Sequence, residues 1–213
     1  FFSGINELLT HHITGLTAGL RHDGALNRDL SELHTNLVPY PRIRLLATAY
    51  APLLPRLGVC TGTPSVTNIT KMVFDPALAS VQWNAQDAKY IACSLCYRGD
   101  VVPKDVMAAV AHIKTCRYMR FVDWSPTGLK CGLDYHTPGA RMPAGQLAVA
   151  PKVVLGAFNS TAMAGHVARY TQVFDRLYQR RAFCHWYTDA GMEEAEFNEA
   201  REDLALLEGD YDE

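Results

Sequence analysis

The chain has no apolar run approaching the roughly 20 residues that cross a bilayer, and no stretch laid out like a signal peptide. No membrane partner is expected. It also has little net charge, −2 over 213 residues, so it is not a polybasic nucleic-acid-binding chain. There is no glycine-rich loop to aim successive backbone N–H groups at a phosphate, because Gly15, Gly19 and Gly24 are isolated. No Gly-x-Ser-x-Gly elbow occurs, and no helix carries metal-spaced His and Glu. A conventional small enzyme is therefore the least supported class. The chain opens Phe1-Phe2-Ser3, without an initiator Met and already inside a helical pattern, which reads as a fragment or a processed piece.

Cysteine is present but poorly placed for ligation. Of the six (Cys60, Cys93, Cys96, Cys116, Cys131, Cys184), only Cys93 and Cys96 form a close pair. They lie in YIACSLCYRG, a run with strand character, where a separation of three puts the sulfurs on opposite faces. Buried free thiols are the expectation, with no metal. His11 and His12 are adjacent on a helix and diverge, so they make a poor metal pair.

What is abundant is core material, 48% hydrophobic, enough for one or two domains. Apolar residues at Phe2, Ile5, Leu9, Ile13, Leu16 and Leu20 form a helical stripe over residues 2–20. Strands are predicted at 43–51, 90–97, 118–124, 129–135 and 149–157. A helix over 65–74 has Ser65 as its cap, and another starts at Pro103 with Val106, Val110 and Ile113 buried. Residues 53–64, 83–89 and 137–145 read as loops. Asn159 or Ser160 is expected to cap a long helix through Arg181, with Met163, Val167, Tyr170, Phe174 and Leu177 along it. In the last helix Phe197, Ala200, Leu204 and Leu207 are expected to face inward and the acids outward. From Glu193 to the end there are ten acids and one base, which suits a solvated face or a landing surface for basic partners. The order of elements gives an α+β chain ending in a helical hairpin.

The most informative stretch is 20–42. It turns at Asp23-Gly24, opens a helix near Asn27, and stops at Pro39-Tyr40-Pro41. Asp29 and Glu32 share a helix face three residues apart, in the first turns, where carboxylates complement the helix dipole. Ordinary capping chemistry accounts for that spacing, with Asn27 as the cap.

The wording of the stretch carries more. LRHDGALNRDLSELHTNLVPYPRI resembles the middle of α-tubulins, where LRFDGALN, a DLTE-like run and TNLVPYPRI occur in this order. YRGDVVPKDV at 97–106, FVDWSPTGLKCG at 121–132 and RRAFCHWY at 180–187 are similar to the same family. So is GMEEAEFNEAREDLALLEGDYDE at 191–213, and the resemblance covers nearly the whole chain. It implies the end of the central core helix at 1–22, an intermediate α+β domain with a mixed sheet at 23–157, and a C-terminal helical hairpin with an acidic outer face at 158–213. The Rossmann-like GTPase half, which cradles the GTP phosphates and magnesium in this family, is absent from the sequence.

The resemblance further implies a structural subunit of cytoplasmic microtubules that pairs with β-tubulin. GTP hydrolysis would then belong to the heterodimer or polymer rather than to this chain alone. Glu32 matches the glutamate that reaches across the longitudinal contact to the water attacking GTP on the next β-subunit. The β-type has lysine there, so Glu32 marks the α-type. Asp29 matches a second acid at that contact. Asn6 matches an asparagine that hydrogen-bonds guanine, and Phe2 stands where the family stacks a tyrosine. Trp124 and Lys130 match longitudinal-contact residues, although without the resemblance they read first as a core Trp and a solvated strand Lys. Glu193, Glu194, Glu196 and Glu199 would receive motors and associated proteins. Two segments depart from the family: LLPRLGVCTGTP at 53–64 replaces a charged lateral-contact loop, and WNAQDAKY at 83–90 replaces a CDPRHGKY-like run. These departures put lateral assembly in question and keep open a non-polymerising, tubulin-derived binding module.

Overall fold

The computed structural model describes residues 2–24, 26, 29–55, 64–82, 88–115, 119–125, 128–138 and 147–212. Asn27, Cys60, Cys116, and most of the loops at 53–64, 83–89 and 137–145 lie outside the described residues.

A four-stranded sheet in the order β1-β4-β2-β3 organises the chain. Its strands are β1 (Leu46–Ala51), β2 (Tyr90–Gly99), β3 (Leu129–Asp134) and β4 (Lys152–Ser160). β4 runs antiparallel to both β1 and β2, while β2 and β3 are parallel. The parallel pair needs a crossover, and α5 (Pro103–Thr115) supplies it. α4 (Val66–Val73) lies beside α5, and its N-terminus is closed by Ser65 Oγ, which accepts from Asn68 N–H at 3.2 Å. Ile69 and Val73 of α4 and Ala109 and Ile113 of α5 meet Leu95, Tyr97, Val154 and Phe158 in the main core. Gly156 is required there, because a Cβ would collide with Phe158 and Val73.

The opposite sheet face takes α1 (Phe2–Leu16), the short α2 (Ala18–Arg21) and α3 (Leu30–Leu37). Leu33 and Leu37 of α3 pack on Ala92 and Ala157. Leu37 is fully buried, so Leu37→Ala is expected to lower stability by about 2–5 kcal/mol through lost transfer energy and a residual cavity. Chemical denaturation that shows a loss below about 1 kcal/mol would contradict this packing.

The docking of α1 inverts the usual amphipathic arrangement. Glu7, His11 and Gly15 face the sheet, whereas Phe2 is 77% and Ile13 60% exposed, with Ile5, Leu9 and Leu20 also open. Apart from Leu16, the inward contacts are small or polar. Glu7 Oε1 accepts from Leu147 N–H at 3.1 Å, and the His11 ring lies 5.2 Å from the Tyr50 ring. His12 Nδ1 and Thr48 Oγ1 are 3.0 Å apart, and Gly15 brings the helix backbone close to Leu155. Burial lowers the His11 pKa against the opposing pull of Glu7. Of the apolar stripe read in the sequence, Leu16 packs inward on the sheet, while Phe2, Ile5, Leu9, Ile13 and Leu20 point away from this fold.

The hairpin consists of α6 (Met163–Tyr178), the short α7 (Cys184–Thr188) and α8 (Glu194–Asp212). Met163 and Ala164 pack with Tyr211 near the end of the sheet. Tyr211 is buried, and its hydroxyl oxygen accepts from Leu45 N–H at 2.8 Å. Arg42 reaches Asp203 and Asp210 of α8, and Arg201 grips Asp175 of α6 through two hydrogen bonds of 2.8 and 3.1 Å.

Several expectations need correction. Asn159 and Ser160 belong to β4; Asn159 spends its amide on the carbonyls of Leu37 and Ile43, 2.9 Å each, and α6 starts at Met163. No ladder strand covers 119–124, because β3 occupies the β2 edge from Cys93 onward. Only the Tyr90 end is left to pair, through Arg120 O and Val122 N–H. Tyr170 is 73% exposed, Leu177 is exposed, and Ala200 points to solvent, so the inward faces of α6 and α8 are narrower than their periodicity suggests. Cys93 is buried in the main core and Cys96 packs on the other face beside Tyr50 and Leu155, as strand alternation requires. Burial pushes the Cys93 thiol well up, which leaves it inert.

Candidate interface site around Glu32

Beyond α2, Gly24 and Leu26 lie against β3. Leu26 exchanges two backbone hydrogen bonds with Leu133 of β3, 3.2 Å each. Gly24 makes this approach feasible, since a Cβ there would sit 2.8 Å from the Leu133 carbonyl oxygen. Asp29 then caps α3, its carboxylate accepting from Leu30 N–H at 2.7 Å. The cap is thus Asp29 itself, and the helix begins one residue later.

Glu32 falls in the first turn of α3 and is exposed, with no hydrogen bond or ion pair among the described residues. Leu33 on the inward face anchors the helix, so the Glu32 side chain is presented outward from a fixed base. The surroundings collect other predicted residues. Tyr40, just beyond α3, lies 5.7 Å ring to ring from Trp124, which is 45% exposed and not a core residue. Lys130 pairs in register with Ser94, hence on the Ala92 face that carries α3. Lys130 is exposed. Asp29, Glu32, Trp124 and Lys130 therefore belong to one side of the sheet.

Phe2 and Asn6 stand elsewhere. Both are exposed on α1, four residues apart, at the N-terminal end of the outward apolar stripe. The helical segment from Phe2 to Arg21 is about 28 Å long at 1.5 Å per residue. Phe2 thus stands at the end of that segment remote from the turn that leads to α3. A π face and a carboxamide one turn apart suit a purine base edge; neither can cradle a phosphate.

Sequence reasoning missed the polar group beneath the Glu32 loop. Arg98 Nε donates to Asp134 Oδ2 at 3.0 Å, with only 7% and 13% of the two side chains exposed. Asp134 Oδ1 accepts from His136 N–H at 2.9 Å and faces His136 Nδ1 at 2.7 Å. Burial alone would raise the Asp134 carboxyl, but the His136 hydrogen bonds and the Arg98 charge outweigh it and hold its pKa down. His22 stacks on His136, centroids 4.7 Å apart and 21° between planes. The available signal was His22, standing where the family wording has Phe. Its partners lie more than 70 residues away and are joined only by strand register.

The acidic helix is less uniform than its composition. Glu193 sits before α8, and Glu196 reaches back to the Glu193 N–H at 3.3 Å, half of a capping box. Glu194 pairs with Arg181. Glu199 is exposed, with no partner among the described residues. Among those residues no group of three His, Cys, Asp or Glu could hold a metal, and no helix is long and apolar enough to cross a membrane.

Comparison with known proteins is consistent across the chain. The Tubulin C-terminal domain family matches residues 41–172. The chain is 52% identical to a tubulin alpha chain of Trypanosoma cruzi over 212 residues. It is 51% identical to a tubulin alpha-1 chain of Pelvetia fastigiata and 50% to a tubulin alpha-3 chain of Zea mays. Each match covers 100% of this chain and 47% of the relative, so the chain spans about half the length of the relatives it matches. An α+β sheet and helical hairpin of this order, with that family match and half-identity along its whole length, mean that the chain belongs to the tubulin family.

Proposed function

We propose that this chain is the C-terminal part of an α-tubulin-type microtubule subunit of the cytoplasmic cytoskeleton. It pairs with β-tubulin and donates Glu32 in trans to hydrolysis of GTP held by the neighbouring β-subunit. The observation that carries the reading is Glu32 itself: an exposed carboxylate on a rigidly based first helical turn, beside Asp29, Trp124 and Lys130 on one side of the sheet. Phosphoryl transfer asks a protein chiefly for positioning and charge, and a carboxylate that accepts a hydrogen bond from the attacking water supplies the positioning. Such a group acts only when an interface closes over it, which is why no complete active site is legible here.

The outward stripe on α1 supports the remaining half of the proposal. Phe2, Leu9 and Ile13 form an apolar surface that a stand-alone module would leave wet. A nucleotide-binding half packed there covers the stripe and brings Phe2 and Asn6 to the guanine of its own GTP, whose phosphates and magnesium that half must hold. This weighs against the non-polymerising binding module. GTP turnover by a reconstituted heterodimer carrying Glu32→Gln, measured before and after assembly, tests the assignment.

For the acidic helix, the proposed partners are motors and associated proteins with basic surfaces. Glu199→Lys with Glu193→Lys is expected to weaken their binding by about tenfold in low salt and to flatten its salt dependence. Reversal of Glu194 is expected to act partly through the lost Arg181 contact, so it is the poorer probe. Co-sedimentation that ignores both salt and charge at these two positions would remove this role.

A further inference from the structure

We propose that Asn159, a buried amide in the inner strand β4, is the positioning residue that sets where Glu32 and the Tyr40–Trp124 pair stand. For its catalytic consequence the inference rests on the reading of Glu32; the pin itself stands on geometry. Leu37 ends α3, and in a continuing helix its carbonyl would accept from the N–H four residues on. That residue is Pro41, which has no N–H, and Pro39 offers none either. Leu37 is fully enclosed, so solvent does not reach its carbonyl. The Asn159 amide does: Nδ2 donates to Leu37 O and to Ile43 O, 2.9 Å each. The amide cannot be turned round, because both neighbours are acceptors. Its Oδ1 is left without a partner among the described residues.

Direction is what this pin adds. Asn159 pairs with Leu46 and Ala92, and strand alternation puts its side chain on the Ala157 face, where α3 lies. Leu33 and Leu37 rest there on two alanines. That contact is non-directional, so burial alone allows α3 to slide or roll on the sheet. Two hydrogen bonds from one planar amide fix both the end of α3 and the approach to β1. They also close the 38–42 segment, which carries Tyr40 against Trp124. A second tie of this segment, Arg42 to Asp203 and Asp210, is exposed and reaches the hairpin rather than the sheet. Glu32 stands five residues before Leu37, about 7.5 Å along the axis. A helix of two turns carries a displacement at one end to the other.

The test is a double-mutant cycle of Asn159→Leu and Glu32→Gln on GTP turnover, with the full chain in its assembled heterodimer. Asn159→Leu keeps a similar volume and removes both donors. It is expected to slow turnover by about 10²-fold, the scale of a misplacement of about 1 Å. Added to Glu32→Gln it is expected to slow turnover no further, whereas a residue acting only through stability would slow both backgrounds alike. Val73→Ala, a cavity in the main core, is expected to lower the denaturation midpoint with turnover unchanged. Amide exchange at Leu33, whose N–H donates to Asp29 O, is expected to quicken at least about tenfold in Asn159→Leu relative to Leu95 in the main core. Should Asn159→Leu yield no heterodimer, Asn159→Ser, which leaves room for water at the two carbonyls, carries the same cycle. Unchanged turnover in the Asn159 variant, or an equal loss on both backgrounds, overturns the positioning role. Glu32→Gln without effect overturns the reading of Glu32 instead, and the pin then falls only if Leu33 exchange is also unchanged in the Asn159 variant.

Discussion

Glu32→Gln should leave the heterodimer assembling normally while slowing GTP turnover after assembly by about 10²–10⁴-fold, the usual range for removing a positioned acid–base group. The separation of the two effects follows from where the residue sits. Glu32 is exposed in the first turn of α3 and has no partner among the described residues, so folding does not depend on its charge. Losing one carboxylate near a helix N-terminus costs only about 0.3–1 kcal/mol. Glutamine preserves the length and one carbonyl acceptor, so any loss of rate reports the charge and basicity of the carboxylate rather than a hole. The background rate of unassembled heterodimer is expected to be the same for both forms, because the proposed role has the group reach GTP only across a closed interface. Unchanged turnover in assembled polymer would sink the assignment. A variant that failed to assemble would instead place Glu32 among the residues that hold the contact.

Local signals were legible wherever neighbouring residues decide the outcome. Ser65 closing α4 and Pro103 opening α5 are short-range chemistry, and the opposite facing of Cys93 and Cys96 needs only the pleat of β2. The face that α1 presents was not legible, because an apolar stripe says that something covers it without saying that this fold does. Asn159 reads as a cap from its neighbours, yet it is bound to Leu37 and Ile43, over 110 residues earlier. The segment 119–124 has strand composition and lacks only a free edge, a property of β3 and not of itself. Of the site, Glu32, Asp29, Trp124 and Lys130 came from family wording. The Arg98–Asp134–His136–His22 group depends on register between strands and on where α2 ends, which no window of sequence contains.

Gly24→Ala is the sharper test of how the Glu32 loop is held. A Cβ at this position would stand 2.8 Å from the Leu133 carbonyl oxygen, and that oxygen belongs to β3 backbone that accepts from Leu26 N–H at 3.2 Å. A side-chain neighbour could rotate away; a strand carbonyl already bonded to Leu26 N–H cannot. The loop must therefore move, and the expected loss is about 1–3 kcal/mol, as for an extra methyl forced into a packed site. The consequence for turnover is disproportionate. Asp29 caps α3 from the end of this same loop, so lifting the loop off β3 carries the α3 N-terminus, and Glu32 with it. A shift of about 1 Å at a catalytic group can cost about 10²-fold in rate, so Gly24→Ala is expected to slow assembled turnover by that order while the chain remains folded. Gly24→Ser should behave alike, because the Cβ and not the polarity is at fault. Equal turnover for Gly24→Ala and the unmodified chain, with the stability loss present, would mean that α3 is positioned from its Leu33 and Leu37 side alone. In that case the loop is a tether and not a setting for Glu32.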